Sequence, residues 1–491
     1  MSLSLMRRFL DKTKYWYENS KQRQQLSFWI IYGLAIYLPF EEFFVKLLPL
    51  HGSILFFFKI TTGELIIYAL FIKLIYDSVS GKKTFKTTPI DLLLIAFIIV
   101  SFISISINQA PIAGSLVNLR PLLRYVAVYY LIVNSKISKQ QLNLLFKSLK
   151  TICLIQSVLA TVQYFSPRSI TKLFVPRGSG VSFGGHERYM TGTKVGAAVG
   201  TIGRPAAFTS FIFVAFSIFL VKTFKTGKSY YFTRNGLLWT LVIFFGIFAT
   251  LKRASLIIIL LIPVVLLLHL GKKKKALVIS WLYTMFALGL ALVLLSINLE
   301  QISFSGTDAR KESIDPSVYL VQIFTPDYYE QASENSRGWM IQTVSRSVLG
   351  SDKIWFGISP NQNVVRNTLI KLNSSSTLAQ KRFEVTETFE DVYWVAMLAY
   401  YGVTGLGIYL LIILRLYLAA RWLICHAEDS EYQSLGAIFC TLILVSFIYA
   451  WIEKIWEIQT FTFYFWLLAG LVINSCSAVR ENYLLAGEKK T

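Results

Sequence analysis

Five arginines stand where a cation needs an explanation: Arg120 and Arg124 in "LRPLLRY", Arg204 in "GTIGRPAAF", Arg253 in "LKRAS" and Arg337 in "ENSRGWM". A guanidinium presents a planar fork of donors that matches phosphate oxygens, so arginines gathered at one place point to a poly-anionic ligand such as a lipid headgroup. Arg120 and Arg124 are four apart and share one helix face. The blander alternative is that each arginine snorkels separately to ordinary phospholipid phosphates. Carboxylates cluster once, in "EVTETFEDVYW", as Glu384, Glu387, Glu390 and Asp391. One of them could deprotonate a hydroxyl acceptor as general base, an effect typically worth about 10²–10⁴-fold. The competing reading is an acidic first helical turn that complements the macrodipole. Glu453, Lys454 and Glu457 form a second charge group, read as an interfacial turn.

The elements that must position these residues are membrane helices. The chain has 491 residues, 54% of them hydrophobic and only 15% charged, against about a quarter charged in soluble proteins. Apolar runs near the ~18-residue threshold recur along the whole length. Hydropathy predicts an all-α polytopic membrane protein with about twelve spans, near 26–48, 54–76, 89–107, 119–134, 148–165, 205–222, 236–251, 254–270, 276–297, 391–414, 435–452 and 458–475. The first two are interrupted by Glu41, Glu42, Lys59 and Glu64, which leaves room for a re-entrant or interfacial segment.

Cytoplasmic loops of membrane proteins carry an excess of Lys and Arg. With a basic, cytoplasmic N-terminus, the inward turns hold Lys82, Lys83 and Lys86; Lys136, Lys139 and Lys147; Lys222, Lys225, Lys228 and Arg234; Lys272 to Lys275; and Arg415 and Arg421. The tail adds Arg480, Lys489 and Lys490, so both termini are expected in the cytoplasm. The net charge of +22 is thereby explained by topology rather than by nucleic acid, for which no soluble basic domain or stacking motif is present. Three segments face outward and disobey the bias: the Gly- and Arg-rich 166–204, the turn Lys252–Arg253, and a hydrophilic loop over 298–390. The expected organisation is an N-terminal bundle over 1–297, the outer loop domain 298–390, and C-terminal membrane helices with a short tail over 391–491. Aromatics such as Trp339, Trp355 and Phe356 predict that the loop packs as a cap, with "LNSSSTLAQ" at 372–380 as its flexible part. With all five arginines on one face, a shared anionic ligand outweighs five separate headgroup contacts.

Other chemistries lack their residues. Cys153, Cys425, Cys440 and Cys476 form no CxxC pair, and His51, His186, His269 and His426 are scattered, so neither a disulfide framework nor a metal site is supported. No GxxxxGK[ST] or HExxH occurs, and no DxD. A metal-free enzyme handling diphosphate would use arginines in place of the ion.

Four stretches in this order resemble the O-antigen ligase and polysaccharide polymerase superfamily of bacterial membrane glycosyltransferases. "GTIGRPAAF" (200–208) resembles its Gly-Thr-x-Gly-x-Pro stretch. "TLKRASLIIIL" (250–260) resembles its Thr-x-Ser-Arg stretch, with Arg253 on the arginine and Lys252 where serine is usual. "SRGWMIQTVSRSVLGSDKIWFGIS" (336–359) resembles the outer-loop pattern of an arginine, here Arg337, a helix and a Gly-containing turn. "EDVYWVAMLAYYGVTGL" (390–406) resembles the segment after that loop, where an acid or histidine precedes a helix ending Tyr-Gly-x-x-Gly-Leu. Members often have histidine there; this chain has none, and spacing lands on Asp391 counted from Gly402 or on Glu390 counted from Tyr393.

The resemblance implies a GT-C-like fold in a bacterial inner (plasma) membrane. It implies a glycan donor on a polyprenyl diphosphate at the outer leaflet, and a glycan or lipid hydroxyl as acceptor. Arg253, Arg337, Arg204, Arg120 and Arg124 would bind the diphosphate. Asp391, ranked first, or Glu390 would activate the acceptor for inverting displacement, with no cofactor or metal. Ligase and polymerase are not separated by it. The alternatives are a twelve-span transporter or flippase for lipid-linked glycans, and a structural or sensory membrane protein.

Overall fold

The structure is a computed structural model that describes residues 20–47, 52–165, 198–225, 234–250, 253–269, 337–374 and 392–488, with single residues 279 and 383. At several helix ends, Arg253 and Arg337 among them, the backbone alone is described. Every regular element among these residues is a helix. In order they are α1 (Ser20–Tyr37), a 3-10 turn (Leu38–Phe40), α2 (Glu41–Leu47), α3 (Gly52–Val79), α4 (Asp91–Ile107), α5 (Ile112–Leu123), α6 (Val126–Val133), α7 (Lys139–Phe165) and α8 (Pro205–Lys225). They continue with α9 (Arg234–Phe248), α10 (Arg253–Leu266), α11 (Arg337–Leu349), α12 (Gln362–Leu372), α13 (Tyr393–His426), α14 (Ser430–Tyr449), a 3-10 turn (Ile455–Glu457) and α15 (Gln459–Glu488). Helices are what this composition requires, because hydrocarbon offers backbone amides no partner outside their own segment.

Six helical stretches are long and apolar enough to cross a bilayer: Leu26–Phe44, Lys139–Tyr164, Pro205–Thr223, Tyr393–His426, Ser430–Tyr449 and Gln459–Glu481. The bent pair α5–α6 makes a seventh if counted as one broken span. The chain is an all-α membrane protein. The twelve spans read from hydropathy are not all matched. Among the described residues α4, α9 and α10 have 17, 15 and 14 residues, against the ~20 typical of a span. Helix α3 is punctuated by Lys59, Glu64, Lys73 and Asp77, and 276–297 lies outside the described residues apart from the lone residue 279. Hydropathy responds to apolar composition alone and does not show where a helix stops.

Lipid as solvent is visible on the helix surfaces. On α4, Leu92, Ile95, Ile99 and Phe102 are exposed while Leu94, Phe97, Ser101 and Ser104 are buried. These are two opposite stripes at helical spacing, and the outer one is apolar. On α13 the exposed stripe is Leu411, Leu414 and Leu418. Inside the bundle α8, α14 and α15 pack together, and α15 also packs on α6 and α13. Small residues let these backbones approach: a Cβ on Gly470 would sit 2.9 Å from the Tyr129 carbonyl, and one on Gly436 2.6 Å from that of Ala420.

The bundle has two unlike ends. At one, Lys139 pairs with Asp429, Lys222 pairs with Glu431, and Lys222 Nζ donates to Asn143 Oδ1 at 2.9 Å. At the other lie the starts of α8, α13 and α15 and the ends of α7 and α14. The two are called here the lysine end and the arginine end. Of the 298–390 stretch, 337–374 is described. There α11 buries Met340, Val344 and Val348 along one face and packs on α13, while α12 buries Val365 and Leu369.

Candidate functional site

The site begins at a break in a membrane helix. Pro121 lies inside α5, where it has no N–H to donate and its ring crowds the preceding turn. Helix α5 stops at Leu123, α6 starts at Val126, and the two are bent by 40°. The sequence reading of a span over 119–134 falls on this bent pair, which begins earlier, at Ile112. The break leaves Arg120 and Arg124 on the same side, facing Glu64 of α3. Arg120 donates from Nε and Nη2 to Glu64 Oε2 at 3.1 and 2.7 Å. Arg124 Nε lies 3.3 Å from Oε1, an ion-pair distance without hydrogen-bond geometry, so this buried nitrogen has no hydrogen-bond partner. Glu64 is buried, and its side chain is 6% exposed against 14% for Arg124 and 35% for Arg120. One carboxylate thus bridges two guanidiniums, and the trio carries one net positive charge. Removing either side of such a buried pair commonly costs about 3–5 kcal/mol.

From Arg124 the polar chain runs across the arginine end. The neighbouring Tyr125 is buried against Phe463, ring centroids 5.3 Å apart. It lies within electrostatic reach of Arg124, Glu41, Glu64 and the Gln459 amide. Gln459 Nε2 donates to Glu41 Oε2 at 3.2 Å. The next residue, Glu42, lies against Gly203, whose added Cβ would sit 3.1 Å from Glu42 Cγ. Arg204, exposed, follows Gly203 and precedes Pro205, the first residue of α8.

The loop that carries Arg204 is held by two buried glutamines of α7. Gln163 Oε1 accepts from Val199 N and Gly200 N at 3.0 and 2.9 Å, and its Nε2 donates to the Gly200 carbonyl at 2.7 Å. Gln156 Oε1 accepts from Thr201 N at 3.0 Å, and Thr201 Oγ1 donates to the Pro39 carbonyl at 2.7 Å. Gly200 and Gly203 take φ of 57° and 83°, which only glycine adopts readily. The "GTIGR" stretch is therefore a built loop rather than a linker.

Two of the sequence motifs meet at a second break. Helix α13 is interrupted at Gly402, φ 67° and ψ −171°. The turn after α11 fills the gap. Val403 N donates to the Ile354 carbonyl at 2.8 Å and Thr404 N to that of Trp355 at 3.2 Å. In return Ile358 N donates to the Ala399 carbonyl at 2.7 Å, and Ser104 Oγ of α4 donates to that of Tyr400 at 2.9 Å. Asn108 Nδ2 completes the joint with a 3.1 Å bond to the Gly357 carbonyl. Irregular backbone at membrane depth survives only when buried in protein in this way. Further along, Asn361 caps α12 and presses on Gly114 of α5, an added Cβ there lying 2.5 Å from Asn361 Nδ2. The 337–374 segment thus touches both broken helices.

The structure brings Arg120 and Arg124 together on Glu64, with Glu41 within electrostatic reach of Tyr125 and Glu42 against the Arg204 loop. Arg253 opens α10 at the same end: Ala198 N donates to the Ala249 carbonyl at 2.9 Å, and Ser255 Oγ lies 2.6 Å from Thr209 Oγ1 of α8. Arg337 opens α11. Asp391 and Glu390 lie outside the described residues. The chain just after them is anchored at the arginine end by Tyr393 N, which donates to the Ala450 carbonyl at 3.0 Å. Sequence reasoning did not count Glu41, Glu42, Glu64, Tyr125 or Gln459 as site residues. The signal for the glutamates was present, since they are the charges that spoil the first two apolar runs, and an intramembrane carboxylate is a functional candidate by default. Comparison with family models and with curated proteins gives no match, so the chain's own residues carry the functional argument.

Proposed function

We propose that this protein is a membrane glycosyltransferase of the O-antigen ligase or polysaccharide polymerase type. It transfers a glycan from a polyprenyl-diphosphate donor to a hydroxyl acceptor at the outer face of a bacterial inner membrane, in surface or exopolysaccharide biosynthesis. The reading takes the lysine end as cytoplasmic, both termini inside, and the full chain as a GT-C-like bundle of about twelve spans. The observation that supports it best is the guanidinium pair Arg120–Arg124 held on Glu64 at a helix break, at the same end of the bundle as the Arg204 loop. Arg253 and Arg337, at the starts of α10 and α11, complete the set of cations for the diphosphate. Fixed positive charge of this kind stabilises the charge that develops on a leaving diphosphate. Asp391, or Glu390, takes the proton of the acceptor hydroxyl as its oxygen attacks the anomeric carbon. The bond to diphosphate breaks with inversion, and no metal or cofactor takes part. The outer segment, docked on α5 and α13, is placed to cover the site and exclude water.

Purified protein with a polyprenyl-diphosphate oligosaccharide, read on a gel, tests this. A ladder marks a polymerase, and one shifted product on an added acceptor marks a ligase. Arg253→Ala and Arg337→Ala are each expected to lower transfer by about 10²–10³-fold without unfolding the protein; full activity in both would sink the diphosphate assignment. Asp391→Asn and Glu390→Gln are expected to show one loss of about 10²–10⁴-fold, and two unaffected variants would remove the general base. The two broken helices also favour a second reading, since discontinuous spans are a transporter feature. In that case the assay yields no covalent product and the donor crosses the bilayer of a proteoliposome instead.

A further inference from the structure

Glu64 has no place in the reaction just described, yet it is the group that the two arginines at the helix break hold. It sits within the largely apolar α3, is buried, and faces Arg120 with one oxygen and Arg124 with the other. A strut serving only to tie α3 to α5 would satisfy the donors it binds. Here Arg124 Nε is left without a hydrogen bond, and Arg120 keeps about a third of its side chain exposed (35%). The arrangement is under-supplied with acceptors and has an open side. A diphosphate carries more acceptor oxygens than a carboxylate and matches the same forks.

We propose that Glu64 is the resident counter-anion of the diphosphate site. It is a positioning residue that holds the Arg120 and Arg124 guanidiniums side by side until donor phosphate displaces it. This rests on the transferase reading above. Without Glu64, two like charges would face each other across the break. With it, they wait as a pair with one net charge, and incoming phosphate exchanges one anion for another. Glu64 therefore sets donor affinity, and the rate of transfer belongs to other groups.

Glu64→Gln keeps the shape and one acceptor and deletes the charge. In detergent-purified full-length protein, binding of inorganic diphosphate and of farnesyl diphosphate is measured by thermal shift and titration. The variant is expected to bind both about tenfold more tightly, as suits the loss of one unit charge beside a multiply charged anion. KM for the lipid-linked donor should fall by a similar factor with kcat unchanged. Wild type that binds diphosphate while the variant binds it equally or more weakly overturns the role of Glu64 and leaves the transferase reading standing. No diphosphate binding by either form overturns that reading at this site as well. Should phosphatidylglycerol, and neither diphosphate, show the dependence on Glu64, the site is a lipid-headgroup site and the proposal fails. If Glu64→Gln does not fold, Glu64→Asp keeps the charge but spans one guanidinium instead of two, and about threefold tighter binding is expected. Failure of both variants to fold marks Glu64 as a strut and overturns the proposal.

Discussion

Gly402→Ala is expected to destabilise the protein severely, and Gly407→Ala, one and a half turns further along the same helix, to leave it intact. Both residues lie in α13, and both substitutions add one methyl group. At Gly402 the backbone sits at φ 67°, ψ −171°, a region that is in practice reserved for glycine and costs other residues about 1–3 kcal/mol. The new Cβ would also lie 2.5 Å from Gly357 N and from the Trp355 carbonyl. These are backbone atoms of the docked turn and cannot rotate away, so overpacking adds about 1–3 kcal/mol. Both penalties fall on the joint between the turn after α11 and the broken helix, and the joint is expected to separate. At Gly407 an added Cβ meets nothing within 4 Å, and alanine is the better helix former by about 1 kcal/mol. Thermal unfolding in detergent, followed by loss of the monodisperse peak, separates the pair. Equal midpoints for the two variants would show that the break is not under strain. A Gly357→Ala variant should behave like Gly402→Ala, because its Cβ would meet Gly402 N at 2.5 Å from the other side.

The second large effect is expected at Gln163. Its side chain is the partner of three backbone groups, Val199 N, Gly200 N and the Gly200 carbonyl. Gln163→Leu fills the same space and satisfies none of them. Each buried polar group left without a partner costs about 1–3 kcal/mol, so the loop before Arg204 is expected to open. Arg204 would lose its fixed position, and on the transferase reading donor binding is expected to fall together with stability. Gln163→Glu separates the hydrogen bonds from packing. When protonated, its carboxyl can accept from both N–H groups and still donate to the carbonyl. When ionised, it can only accept and confronts the Gly200 oxygen. Gln163→Glu keeps an acceptor for both N–H groups and is therefore expected to be less disruptive than Gln163→Leu; equal thermal midpoints for the two variants would contradict the hydrogen-bond scheme.

Much of the fold is legible in the apolar runs. Residues 205–222, 435–452 and 458–475 are long runs with almost no charge, and the structure has helices over each. The counting of spans is less legible. Among the described residues α4, α9 and α10 are as apolar as a span but shorter than the ~20 residues typical of one, and their length shows only once turns and breaks are located. Pro121 was visible in the sequence as a helix disturbance. That the chain breaks two residues later, and so turns both arginines to one carboxylate, depends on α3 lying alongside. Glu64 and Arg120 are 56 positions apart, and nothing local to either specifies the other. Gly402 had the same ambiguity, since glycine in a membrane helix usually marks close packing. Its positive φ is imposed by a turn some 45 residues earlier in the chain.

The sequence by itself determined the solvent, the helical class, the uneven distribution of cations and the residue types available for phosphate recognition. Those follow from composition and spacing, which act over a few residues. Only the tertiary structure decided that Glu64 bridges Arg120 and Arg124, that Gln156 and Gln163 build the Arg204 loop, and that the turn after α11 completes a broken helix. These contacts join residues from tens to hundreds of positions apart. They exist because buried polar groups without water must find partners in whichever helix packing brings near.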